Sequence, residues 1–142
     1  MRIFIYIITI SALFASCGSV EITDDNFTDL IDMDYPPVIT FEDEEINFGK
    51  VVEGKQIYRT VNFTNTGKGP LIISTINGSC GCMIPRKWPK DPIKPGEKAS
   101  FQLEFNTEGR VGITNKSITI SANTKPGDSK LKITGTVIGP TN

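Results

Sequence analysis

The chain has 142 residues, with 15 Lys and Arg against 16 Asp and Glu for a formal net charge of −1, and it contains no histidine. The missing histidine removes the commonest general base, the commonest metal ligand and every Ser–His or Cys–His nucleophile pair. Hydrolase and metalloenzyme chemistry are therefore left with few residues to work with. The scattered Lys and Arg, without a clustered stripe or interleaved aromatics, exclude nucleic acid as an expected partner.

In chain order, the first element is a cleaved secretory signal over residues 1–16. Arg2 precedes the apolar run Ile3 to Ile10, and Leu13-Phe14-Ala15-Ser16 leads to Cys17. A positive start, an apolar core and small residues at the cleavage point make an export signal. Small residues placed directly before a cysteine form the pattern of a bacterial lipoprotein signal, although Phe14 occupies the place where Leu usually stands. Cys17 would then carry a diacylglyceryl group and become the new N-terminus. The apolar stretch is shorter than the roughly 20 residues a membrane span needs. The expected location is the bacterial cell envelope, membrane-anchored, with the domain facing the periplasm or the outside.

Residues 17–37 read as the lipidated cysteine followed by an acidic flexible tether. From Gly18 to Gly49 there are ten acids and no Lys or Arg, whereas from Lys50 onward 14 basic residues face 6 acids. Such a leader buries too little apolar surface to order itself. About twenty of its residues would stand the domain off the bilayer by about 25 Å.

Pro36-Pro37 closes the tether, because neither proline supports a continuing helix or a central strand. From there the pattern predicts one strand after another. Val38–Phe41 and Glu45–Phe48 read as a short opening pair. Gln56–Asn65 follows, with Ile57, Val61 and Phe63 on one parity, and then the apolar run Leu71–Ile76. Ala99–Phe105 alternates most cleanly, with Phe101, Leu103 and Phe105 inward. Ser117–Ala122 and Lys130–Ile138 repeat the alternation, the latter with its lysines outward. Gly and Pro mark the turns between them, as at Asn65-Thr66-Gly67 and Lys94-Pro95-Gly96. About seven short strands in about 100 residues predict a single immunoglobulin-like β-sandwich over residues 38–139, all-β and without helices.

Six segments occur in an order that resembles one known family. They are Asn62 to Gly67, Leu71-Ile72-Ile73, Cys80-Gly81-Cys82, Ile93 to Glu97, Gly112 before the strand at Ile118, and Leu131 to Gly135. Together they resemble the bacterial domain of unknown function 1573 family, which is similar to the Hydin-like and major-sperm-protein-like immunoglobulin sandwiches. The resemblance spans nearly the whole expected domain. It implies an immunoglobulin-like fold in a secreted or lipid-anchored protein, and it implies no assigned activity.

One local constellation carries chemistry-bearing groups, Ser79-Cys80-Gly81-Cys82-Met83. With Cys17 lipidated, Cys80 and Cys82 are the remaining thiols. They fit a structural disulfide, since exported proteins meet oxidising machinery and Gly81 can shorten the gap between them. They also fit a redox pair, with Arg86, Lys87 and Lys90 close enough in sequence to stabilise a thiolate. Two thiols and the Met83 thioether would suit Cu(I) as a third possibility. Trp88 reads as a plug over one end of the sandwich or as a partner anchor, since tryptophan is enriched at binding hot spots. The expectation is a non-enzymatic interaction or scaffold module needing no cofactor beyond its covalent lipid. Its partners would be the membrane, through the anchor, and an envelope protein or glycan. The alternative is a thiol–disulfide or Cu(I)-handling protein.

Overall fold

Period-two alternation decides which face each strand buries, and here it builds two sheets around one apolar layer. The structure, a computed structural model, describes residues 35–140. The signal segment, the lipidation candidate Cys17 and residues 18–34 of the expected tether lie outside the described residues. The strands are β1 (Ile39–Phe41), β2 (Glu45–Val52), β3 (Gln56–Asn65), β4 (Ile73–Gly78), β5 (Met83–Arg86), β6 (Lys98–Asn106), β7 (Gly112–Ala122) and β8 (Asp128–Ile138).

One sheet has the order β1-β3-β6-β5 and the other β2-β8-β7-β4. All pairings are antiparallel except β2 with β8, which is parallel. This is the four-plus-four arrangement of an immunoglobulin-like β-sandwich, and no described residue is helical.

The parity read from the sequence holds. Ile57, Val61, Phe63, Phe101, Leu103, Phe105, Ile118, Ile120, Leu131, Ile133 and Val137 are all buried, while Lys130 and Lys132 are exposed. Phe63 meets Phe101 with ring centroids 6.4 Å apart, and Phe48 meets Phe105 at 5.2 Å. These tilted contacts link β3 to β6 and carry β2 across to the opposite sheet. Each buried side chain of this size contributes about 1.5–3 kcal/mol relative to exposure.

Three details differ from the sequence reading. The opening segments do not pair with each other: β1 pairs with β3 and β2 with β8, in different sheets. The chain changes sheet across Glu42–Glu44, and long-range partners win over the neighbour in sequence. Leu71 falls outside β4 and makes an isolated bridge to Ile93. Finally there are eight strands among the described residues, because Met83–Arg86 forms β5 against β6. Pro85 argues against a central strand, but β5 is an edge, where its missing N–H leaves no ladder bond unmade.

Candidate functional site

Two of the segments that carry the family resemblance, Asn62 to Gly67 and Ile93 to Glu97, meet at one end of the sandwich on a single side chain, Asn65. It closes β3 and is fully buried. Its Oδ1 accepts from the N–H of Val38 at 3.3 Å and of Gly67 at 3.1 Å. Its Nδ2 donates to the carbonyls of Gly69 at 2.8 Å and Ile93 at 2.9 Å. The Asn65 backbone adds bonds with Glu97 and Gly96. One amide thereby ties the start of β1 to the 66–70 turn and to the Lys94-Pro95-Gly96-Glu97 turn. Gly67 and Gly69 leave no space for a Cβ, because the backbone of Tyr35 to Val38 runs directly against them. These motif residues are framework.

The far end is tied in the same way by Thr107, also fully buried. Its hydroxyl donates to the Lys55 carbonyl and accepts the Lys55 N–H, each at 2.8 Å. That joins the β2–β3 turn to the β6–β7 connection. Asn123 does similar work beside β4, accepting from the Ile72 N–H at 2.8 Å and donating to the Pro70 carbonyl at 3.0 Å. The sequence reading named the turns but missed these side chains as their organisers. A polar residue placed at the inward parity of an apolar strand end, as Asn65 is in β3, was the available signal.

The cysteine constellation lies on the crossover from β4 in one sheet to β5 in the other. Cys80 and Cys82 have their sulfurs in close contact and their Cα atoms 5.2 Å apart, inside the roughly 4.4–6.8 Å window for disulfides. Cys82 and Met83 are buried in the core cluster, and Cys80 packs against it. The Met83 N–H donates to the Cys80 carbonyl at 3.2 Å, and the Asn106 N–H donates to the Cys82 carbonyl at 3.0 Å. Gly78 is required here because Met83 occupies the place of any Cβ. The Met83 thioether thus fills the core beside β6.

Of the cations expected near the thiols, two are engaged elsewhere. Arg86 Nε donates to Glu104 at 2.6 Å, and Lys90 Nζ sits 3.6 Å from the centroid of the Trp88 ring. No group of three or more His, Cys, Asp or Glu that could hold a metal occurs among the described residues. Trp88 is half-buried and packs against the core cluster. Its Nε1 is buried without a hydrogen-bond partner among the described residues.

Two carboxylates on the surface are perturbed. Glu42 is held below the ordinary carboxylate range chiefly by the hydrogen bond from Lys98, with Asn62 adding a second. Glu45 is lowered chiefly by its short hydrogen bond from Thr134 and then by Lys132. Both belong to exposed pairs, in which screening limits the stabilisation.

Several solved structures share this fold. A protein of unknown function from Porphyromonas gingivalis W83 is 17% identical with a TM-score of 0.60, the match covering 70% of this chain and 46% of that one. The present chain thus spans about half the length of that relative. PapD-like domain 7 of human CEP192 is 10% identical with a TM-score of 0.56, over 72% of this chain and 87% of that domain. The secreted serine protease VesC from Vibrio cholerae is 10% identical with a TM-score of 0.53, over 80% of this chain and 25% of the protease. At these identities the likeness is one of fold alone. No curated protein matches the sequence. The family described as "Protein of unknown function (DUF1573)" matches residues 39–137, the span from the first strand into the last, and the chain belongs to that family.

Proposed function

We propose that this protein is a lipid-anchored component of the bacterial cell envelope whose sandwich serves as a non-enzymatic interaction or scaffold module. The observation that carries the non-enzymatic part is how the polar side chains of the interior are used. Asn65 and Thr107 are consumed in binding turns to one another, and Thr124 donates to the Pro126 carbonyl at 2.7 Å. The family's marker residues therefore support a rigid frame that leaves its outer surfaces available for contact. The anchor part rests on Cys17 and the signal before it.

Radiolabelled palmitate fed to cells expressing the chain tests the anchor. Labelling of the wild type and its loss in Cys17→Ser, with accumulation of the uncleaved precursor, is the expected result. Equal labelling of both forms would refute the lipoprotein assignment.

A further inference from the structure

The outer face of the β2-β8-β7-β4 sheet carries a groove of about 410 Å³, near the lower end of the roughly 300–1,000 Å³ typical of ligand sites. Its origin is a β-bulge. Between Asn47 and Lys50, β2 has one residue more than β8. Gly49 takes the extra place with φ 75°, and Asn47 Oδ1 accepts the Gly49 N–H at 2.8 Å. The extra residue lets Phe48 and Val51, three apart, both face the core, and it sends Asn47 and Lys50 to the outer face. Beneath them Gly135 leaves its inner side to the Phe48 ring, which fills the place of a Cβ. Bulges of this kind re-aim side chains and recur beside binding sites.

The re-aimed groups are chemically uneven. Asn47 Nδ2, the Lys50 ammonium, the Asn115 amide and the Thr136 hydroxyl have no hydrogen-bond or ion-pair partner among the described residues. No carboxylate lines the groove, and Glu45, which accepts from the lining Thr134 hydroxyl at its edge, is paired with Lys132. At its rim Ile113 is 89% exposed, an uncommon position for a strand isoleucine. The groove therefore offers one unpaired cation, several hydrogen-bonding groups that suit hydroxyls, and one apolar surface.

We propose that this groove binds an acidic sugar, a pyranose ring bearing a carboxylate. Lys50 pairs with the carboxylate, Asn47, Asn115 and Thr136 bond the ring hydroxyls, and Ile113 covers the apolar face of C–H groups. The assignment rests on the interaction-module reading and is independent of the lipid anchor. The groove is shallow and lined by few residues, so the expected dissociation constant is on the order of 0.1–1 mM.

The test is an NMR titration of the ¹⁵N-labelled full chain, held in a sugar-free detergent, with three probes: trigalacturonate, its methyl ester and hexaglutamate. Trigalacturonate should shift the amides of Lys50, Ile113 and Asn115 saturably. The ester, which keeps the ring but loses the charge, should bind about tenfold more weakly, as removal of one charge-assisted contact predicts. Lys50→Gln should weaken trigalacturonate by a similar factor, while Lys130→Gln, on β8 and exposed on the same face of the sheet, should leave it unchanged. Both positions are exposed, so both variants are expected to fold. The proposal is overturned by the absence of saturable shifts up to about 10 mM, by equal binding of acid and ester, or by shifts that map elsewhere. Hexaglutamate matching trigalacturonate would overturn it too, by pointing to an acidic peptide. Palmitate labelling is unaffected by any of these outcomes, so failure here is separable from failure of the anchor.

Discussion

The Asn65 end of the sandwich and the Cys80–Trp88 segment are secured by opposite means. At Asn65 a buried amide satisfies four backbone partners and is itself fully satisfied. At the crossover a three-residue cysteine ring sits against the core, and beyond β5 the Trp88 indole N–H has no partner among the described residues. A saturated polar knot is costly to break, because every abandoned backbone group stays buried. An unsaturated group has already incurred that cost, so its removal loses little. The family's characteristic turns lie at the first end. The groups with potential chemistry lie at the second.

The largest effect should come from the knot. Asn65→Ala abandons the Gly69 and Ile93 carbonyls and the Val38 and Gly67 N–H groups, and at about 1–3 kcal/mol for a stranded buried group the expected loss is about 3–5 kcal/mol by urea denaturation. Asn65→Asp keeps the acceptor oxygen but cannot donate, so it should prove no more benign. A loss below about 1 kcal/mol in Asn65→Ala would place the organising bonds of this end elsewhere.

The crossover should yield an intermediate effect. Closing a ring of three residues removes little chain entropy, and the loop-closure relation gives about 1.5 kcal/mol. Reduction should therefore lower wild-type stability by about that amount, and Cys80→Ala/Cys82→Ala should be indifferent to reductant. A wild type equally stable with and without reductant would mean the pair is not bonded. The comparison of the two ends would then rest on packing alone.

The smallest effect is expected at the indole. Trp88→Phe deletes the unpartnered buried N–H while retaining an aromatic surface for Lys90, so its stability should lie within about 1 kcal/mol of wild type. A loss above about 3 kcal/mol would show that Trp88 does more than cover the core.

Local pattern made the strands legible where each strand's own residues decide burial. Phe101, Leu103 and Phe105 alternate against Gln102 and Glu104, and all three are buried. The same holds for Ile118 with Ile120 and for Leu131 with Ile133. Pattern failed where the partner decides. Met83–Arg86 has no strand signal of its own, contains a proline, and becomes β5 through the open edge of β6. Ile39-Thr40-Phe41 of β1 and Ile46-Asn47-Phe48 of β2 carry the same local pattern, and their placement in different sheets follows from what β3 and β8 offer them.

The sequence by itself determined that this is a histidine-free, all-β chain, because alternation, turn residues and composition are local properties. It also located the Cys80–Cys82 pair, since a two-residue spacing keeps the Cα atoms within about 7 Å and the intervening Gly81 can close the gap. Only the tertiary structure decided what the turn motifs are for. Asn65 gathers partners from positions 27 residues before it and 28 residues after it, and nothing local encodes such distances. The groove belongs to the same category. A single bulge at Gly49, set against Gly135 of a strand more than eighty residues on, brings Lys50, Asn115 and Thr136 onto one face, where they can act together.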